Sequence, residues 1–543
     1  MRSFTTPCFL ALMTLGSLLA GCDGDSTGTG GAGGSGGGTA TADVDIAYPA
    51  LGAVSGAAGK GSFRFGASSA ATQIEDQNPT TDWYVWTAPK PDGLGVGTFV
   101  GDAARGYTLA LEDVDLLVEM GLDSYRFSME WARIEPQKDV IDEAALQHYS
   151  DLIDALLAKG IRPMVTVHHF SNPIWVDDPR DKPCAAGPTD ENLCGWDHPE
   201  GGPQVAEQLA EHAGLLAERF GDRVDDWCTL NEPVNYMLAG YGVGNFPPGK
   251  NNLITDVEGK FIPAVRNFLS ANALMYAAMK AADTTDADGD GVAASVGFTK
   301  EVGDWVAAKD NAPSEDPVDI KARDSVVWVY QHLFVEAFQS GAFDPDLNGT
   351  LDEDHPEWKG KLDWLGVQYY FRAGVTGDPG LMPLVGATPC FGTFDLGACL
   401  PPLDETYLVP DMDYEHYPQG LYGILKDFGA RWPDLPLTIT EAGIATAVGA
   451  RRAENTVRAL EQIDRAQKEG VDIRGYYHWS LTDNFEWALG YEPHFGLYSV
   501  DYTTYERTAT LGATVLGDIS KGRKLTKEMR SEYGGDGPMT PEP

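Results

Sequence analysis

Trp227-Cys228-Thr229-Leu230-Asn231-Glu232-Pro233 is a short apolar run that ends on an acid. An acid just past a buried strand has a shaped apolar surround behind it and solvent in front, so its pKa is open to tuning. Leu437-Thr438-Ile439-Thr440-Glu441 repeats the pattern roughly two hundred residues later. Two such acids meet only if the fold brings two strand ends to one place. Glycoside hydrolysis uses that arrangement, with one carboxyl as acid and the other as nucleophile or base.

Working outward from the two glutamates, short β-type runs alternate with helical stretches. The runs are Phe63 to Ala67, Ser124 to Ser128, Met164 to His168, Asp226 to Leu230, Ala294 to Phe298, Trp364 to Tyr369, Leu437 to Thr440 and Ile473 to Tyr477. Leu109 to Met120, Glu143 to Lys159, Val205 to Phe220 and Ala453 to Lys468 carry apolar residues at three- and four-residue intervals, the helical period. Eight strands alternating with helices predict an α/β fold, a single (β/α)8 TIM barrel with its chemistry at the C-terminal ends of the strands. Both glutamates fall at such ends. Long inserts, Ser171 to Pro203 and Arg372 to Tyr417, interrupt the alternation and are expected to shape the rim of the catalytic face.

The chain has 543 residues, 43 % of them apolar and 22 % charged, as in a globular protein with a large core. Its formal net charge of −42 argues against nucleic acid or an anionic membrane surface as a ligand. The N-terminus reads as a targeting segment. Arg2 precedes an apolar stretch, Cys8 to Ala20, that is too short for a stable span. It ends in Leu19-Ala20-Gly21-Cys22, which resembles a bacterial lipoprotein signal. Residues 1–21 would then be removed and Cys22 would carry the acyl chains. Residues 22–44, rich in Gly, Ser and Thr, would be a flexible tether. A domain over 45–520 and a polar tail over 521–543 complete the expected organisation. The protein is thus expected to be exported and lipid-anchored at the cell envelope, on its periplasmic or extracellular face, with no other membrane contact. Cys184 with Cys194, and Cys390 with Cys399, bracket short loops and read as two disulfides. Cys228 reads as a buried free thiol.

Several segments together resemble glycoside hydrolase family 1, the β-glucosidase family. Thr229-Leu230-Asn231-Glu232-Pro233 is similar to its acid/base motif and Thr438-Ile439-Thr440-Glu441-Ala442-Gly443 to its nucleophile motif. Trp479 to Trp487, followed by Phe495-Gly496-Leu497-Tyr498, resembles its sugar-binding segment. Phe65 to Ser68 with Gln73-Ile74-Glu75, Tyr125 to Ser128, and Val165 to Phe170 extend the likeness. The resemblance implies a retaining β-glycosidase that removes terminal non-reducing β-D-glycosyl residues without a cofactor or metal. Its substrate would be a small-molecule or oligosaccharide β-glycoside. Glu232 would be the general acid/base and Glu441 the nucleophile, with carboxyls about 5–5.5 Å apart. Arg126 and Tyr369 would hydrogen-bond the nucleophile. Gln73, His169, Asn231, Trp479, Glu486, Trp487 and Phe495 would bind sugar, Asn231 meeting the 2-hydroxyl and Trp479 serving as platform. Taken singly, Trp479 reads as core, His169 as a structural residue and Arg126 as an ion-pair partner; their motif context is what reverses those readings.

Ala442, Gln368 and Phe170 depart from the family pattern, the first two near Glu441. The competing class is a carbohydrate-binding lipoprotein with little or no turnover, against which the presence of both glutamates counts. Asp286-Ala287-Asp288-Gly289-Asp290-Gly291 resembles the start of a calcium loop. The closing acid is missing, since Gly297 takes its place, so an acidic turn without metal is expected. Asp344 to Gly349 fails in the same way at His355. No oligomeric state follows from the sequence.

Overall fold

The computed structural model describes residues 44–76, 78–390 and 395–543. The expected signal segment, the expected lipidation site Cys22 and nearly all of the expected tether lie outside the described residues.

Eight parallel strands close into a barrel: β1 (Arg64–Ser68), β2 (Ser124–Ser128), β3 (Arg162–His168), β4 (Asp226–Asn231), β5 (Ser295–Lys309), β6 (Trp364–Thr376), β7 (Leu437–Ala442) and β8 (Ile473–Trp479). Each strand pairs with the next, and β8 returns to β1 through Gly475 to Trp479 against Arg64 to Ser68. The outer layer includes α1 (Ala110–Met120), α2 (Glu143–Ala158), α3 (Gly201–Phe220), α4 (Ile262–Ala282), α5 (Pro317–Val327), α6 (Leu333–Ser340), α7 (Gly420–Arg431), α8 (Gly449–Lys468) and α9 (Leu511–Gly522). The (β/α)8 expectation is met, and each strand falls on its anticipated run.

Local chemistry sets the element ends. Asp142 caps α2 by accepting from the backbone N–H groups of Ala144 and Ala145, at 2.8 and 3.2 Å. Gly121 ends α1 in the left-handed region at φ +65°. β1, β2, β4 and β7 are buried along their whole length, as a sheet covered on both faces requires.

Two features differ from the sequence expectation. β5 and β6 run well past the barrel rim, paired from Trp364 with Gly297 to Val375 with Ala307. The second insert therefore begins inside a strand, because alternation continues through Arg372. Residues 521–543 are not a free tail. Lys524–Leu525 pairs with Ile46–Ala47, and Lys527–Tyr533 forms a helix. Beyond it, Arg458 donates to the carbonyls of Gly537 and Pro538, and Arg451 to that of Thr540. This covering explains why α8, despite its many charges, is buried over most of its length.

Cys184 and Cys194 are disulfide-bonded, as are Cys390 and Cys399, with Cα separations of 5.6 and 4.8 Å. Cys228 is free and buried. Among the described residues no helix is long and apolar enough to cross a membrane.

Candidate active site

Glu232 is the first residue past β4 and stands before Pro233, where a short helix begins. Its backbone is left-handed, φ +41° and ψ +63°, a conformation that costs a non-glycine residue on the order of 1 kcal/mol or more. Its Oε2 accepts from Asn235 Nδ2 at 3.0 Å. Burial pushes this carboxyl well above the usual range, and the charges of Glu301 and Glu441 add to the rise. Such an environment favours the protonated form of the carboxyl.

Glu441 lies near the end of β7 and is also buried. Burial raises its pKa too, but Arg126 and a tyrosine hydroxyl draw it back. Arg126 Nη1 ion-pairs with Glu441 Oε1. The two carboxyls are thus separated by their partners: Glu232 has an amide and neighbouring anions, whereas Glu441 has a guanidinium. The same guanidinium donates through Nη2 to Asn231 Oδ1 at 2.7 Å and through Nε to Thr166 at 3.1 Å.

The tyrosine on Glu441 is Tyr370, whose hydroxyl donates to Oε2 at 2.7 Å. Tyr369, expected in that role, points away and donates to the Tyr417 carbonyl. Strand alternation gives the reason. Gln368 faces inward and donates to Asn231 Oδ1 at 2.9 Å. Two residues on, Tyr370 shares its face, while Tyr369 lies on the other.

The remaining expected residues surround the same pocket. Trp479 Nε1 donates to Glu486 Oε1 at 3.1 Å, and Gln73 Nε2 to Glu486 Oε2 at 3.3 Å. Burial pushes Glu486 up to about 7, opposed by its Trp479 and Asn484 partners. His169 stacks near Trp479 and Trp487 at ring separations of 5.8 and 6.0 Å. Burial first, then the charge of Arg126, holds its imidazole neutral. Gln73 Oε1 and His169 Nδ1 are buried without a protein partner, free to meet ligand hydroxyls. Asn231 Oδ1 accepts from Arg126, Thr299 and Gln368, which leaves its Nδ2 as the free donor. Phe495 lies edge-on to Tyr370 at 6.0 Å. Gly443, two residues after Glu441, has the Trp479 carbonyl where a Cβ would stand, so any side chain there would collide with the β8 backbone.

Residues that the sequence reading missed lie beside Glu232. Glu301 Oε2 accepts from Asn235 Nδ2 and from the Tyr330 hydroxyl, the latter at 2.7 Å. Lys300 is buried, and its ammonium is pushed down to about 7, opposed by Glu232 and Glu301. A partial signal was present: Val296-Gly297-Phe298 opens a β-type run that reaches Glu301, though Thr299 and Lys300 break its apolar character. In the barrel Glu301 is the register partner of inward-facing Gln368.

One carboxyl pushed toward its protonated form and one held by a cation, beside aromatic faces and unpartnered polar atoms, are the parts of double displacement at a sugar. The family model described as Glycosyl hydrolase family 1 matches residues 59–524. A β-galactosidase of Pyrococcus woesei is 30 % identical over 493 residues, covering 83 % of this chain and 93 % of its own. The β-glucosidase A of Thermotoga maritima is 30 % identical, covering 82 % and 94 %. Among solved structures, a β-glycosidase from Pyrococcus horikoshii superposes with TM-score 0.71 at 28 % identity, covering 87 % of this chain and 97 % of its own. A family 1 β-glucosidase from Thermotoga maritima gives 0.70 at 27 %, covering 85 % and 98 %. With these matches added to the geometry, the chain belongs to glycosyl hydrolase family 1 and is a retaining β-glycosidase.

Proposed function

We propose that this enzyme releases neutral β-D-glucosyl and β-D-galactosyl residues from the non-reducing ends of small glycosides and oligosaccharides, and that it works outside the cytoplasm, anchored through Cys22. The observation carrying the glycone assignment is Glu486, held by Trp479 and Gln73 at the pocket wall. Its oxygens accept from sugar hydroxyls, and its negative charge when ionised disfavours a phosphorylated sugar. The relatives named β-galactosidase and β-glucosidase support the same two glycones. The lipoprotein-like Leu19-Ala20-Gly21-Cys22 and the Gly/Ser/Thr-rich residues after it support the location.

In the first step a Glu441 oxygen attacks the anomeric carbon while Glu232 gives its proton to the departing glycosidic oxygen. Arg126 and Tyr370 hold the nucleophile, and Asn231 Nδ2 meets the 2-hydroxyl, a contact that strengthens in the transition state. In the second step Glu232 takes a proton from water, which attacks the glycosyl ester and regenerates Glu441. Esterification removes the Glu441 charge, and with it one cause of the raised Glu232 pKa. Burial and Glu301 remain.

A 2-deoxy-2-fluoro β-D-glucoside tests the assignment. Mass spectrometry should find one glycosyl adduct on the peptide holding Glu441, and aryl β-D-glucosides and galactosides should compete with its formation. An unlabelled protein that also hydrolyses no aryl β-glycoside would favour a sugar-binding lipoprotein. For the anchor, Cys22→Ser should move the exported protein from the detergent phase to the aqueous phase.

A further inference from the structure

We propose that Asp225, Asp286 and Asp288 form a site for a calcium-sized divalent cation at the N-terminal end of the barrel, opposite the catalytic face. One carboxylate oxygen from each lies within 4.8 Å of the others. That spacing is about twice a Ca–O distance of 2.3–2.6 Å, and an all-oxygen donor set suits a hard cation. Asp286 and Asp288 belong to the loop Asp286-Ala287-Asp288-Gly289-Asp290-Gly291, whose sequence lacks a closing acid because Gly297 lies inside β5. The fold supplies an acid from elsewhere: Asp225, immediately before β4. Asp225 is 7 % exposed, and its Oδ2 is buried without a hydrogen-bond partner. A buried carboxylate oxygen without a donor is costly unless a ligand completes it.

The surrounding charge leaves room for a cation. Arg162 and Arg64 meet Asp288 through Oδ2, Arg64 at 3.9 Å, and Arg64 also pairs with Asp226. The two guanidiniums thus pair with Asp226 and Asp288 alone, which leaves the neighbouring Asp225, Asp286 and Asp290 without either of them. A bound ion would tie the start of β4 to the loop entering β5. In a barrel this is the face that bears on stability and not on chemistry.

The test uses the full chain after chelator treatment. Calorimetric titration with CaCl2 should give one site. Thermal melting should rise by about 2–3 °C at a hundredfold excess over Kd, with no matching rise in NaCl of equal ionic strength. Asp225→Asn and Asp286→Asn should each abolish the shift while leaving aryl-glucosidase activity at 25 °C within twofold. The proposal is overturned if the wild-type protein takes up no CaCl2 in the titration. An unchanged shift in a folded variant overturns it equally. Should a variant fail to fold, terbium luminescence of the wild-type protein decides: sensitised emission displaced by CaCl2 supports the site, and its absence rejects it.

Discussion

Glu232 and Glu301 are bridged by one amide: Asn235 Nδ2 donates to Glu232 Oε2 at 3.0 Å and to Glu301 Oε2. The amide holds the acid/base in place, and the second carboxylate raises its affinity for a proton. A third acid thus acts on a two-acid reaction.

Glu301→Gln removes that charge while keeping an acceptor for Asn235. The Glu232 pKa should fall, so its proton is lost at lower pH. The alkaline limb of kcat/KM should move down by on the order of one pH unit. A 2,4-dinitrophenyl glycoside, whose leaving group needs no proton, should show little of this loss at the glycosylation step. An unmoved alkaline limb with aryl glycosides of poor leaving groups would sink the idea.

The two adjacent tyrosines on β6 separate by function. Tyr370→Phe removes the hydroxyl on Glu441 Oε2, and kcat/KM should fall about 10- to 100-fold. The acid limb should rise, because an anion-stabilising donor is lost. Tyr369→Phe removes only the bond to the Tyr417 carbonyl. It should cost about 0.5–1.5 kcal/mol of stability and leave the pH profile unchanged. Parallel pH–rate and melting measurements on the two variants check this.

Gln368 departs from the family pattern, and its Nε2 holds Asn231 Oδ1. Gln368→Leu should loosen the Asn231 amide proposed to meet the 2-hydroxyl and lower kcat/KM about tenfold on glucosides. The same substitution should have little effect on a 2-deoxyglucoside, which lacks the contact. Equal losses on both substrates would mean that Gln368 acts on packing alone.

The barrel was legible because its strands are short apolar runs ending in turns or acids, and because period 2 and period 3.6 differ plainly. Glu232 and Glu441 were legible by the same rule. Glu301 follows that rule only in part and sits in a run that continues as strand for eight more residues, to Lys309, so no chain reversal marks it as a strand end. Tyr369 and Tyr370 are chemically identical, and only the facing of the strand distinguishes them. Asp225 and Asp286 are 61 positions apart in sequence; their meeting depends on barrel closure and on no local pattern. The C-terminal residues look polar and solvated, yet their backbone carbonyls are what buried arginines need.

Arg451 and Arg458 donate to the carbonyls of Gly537, Pro538 and Thr540, while Glu454 accepts from Thr540. Met539 is 3 % exposed and belongs to the aromatic cluster of Tyr370, Tyr407, Trp479 and Phe495. A chain ending at Gly535 would strip Glu454 and Arg458 of these partners, leave Arg451 the Thr406 and Leu408 carbonyls, and open the cluster behind Trp479. Stability should fall by about 3–6 kcal/mol, less than the gross loss of charged hydrogen bonds and one buried methionine because ordering the removed residues no longer opposes folding. Well below the melting point, KM for aryl glucosides should rise more than kcat falls, because Trp479 loses its backing while Glu232 and Glu441 keep their partners. Met539→Ala isolates the packing part and should cost about 2–4 kcal/mol. If the truncated enzyme melts with the full chain and keeps its KM, the C-terminal segment has no part in holding the platform.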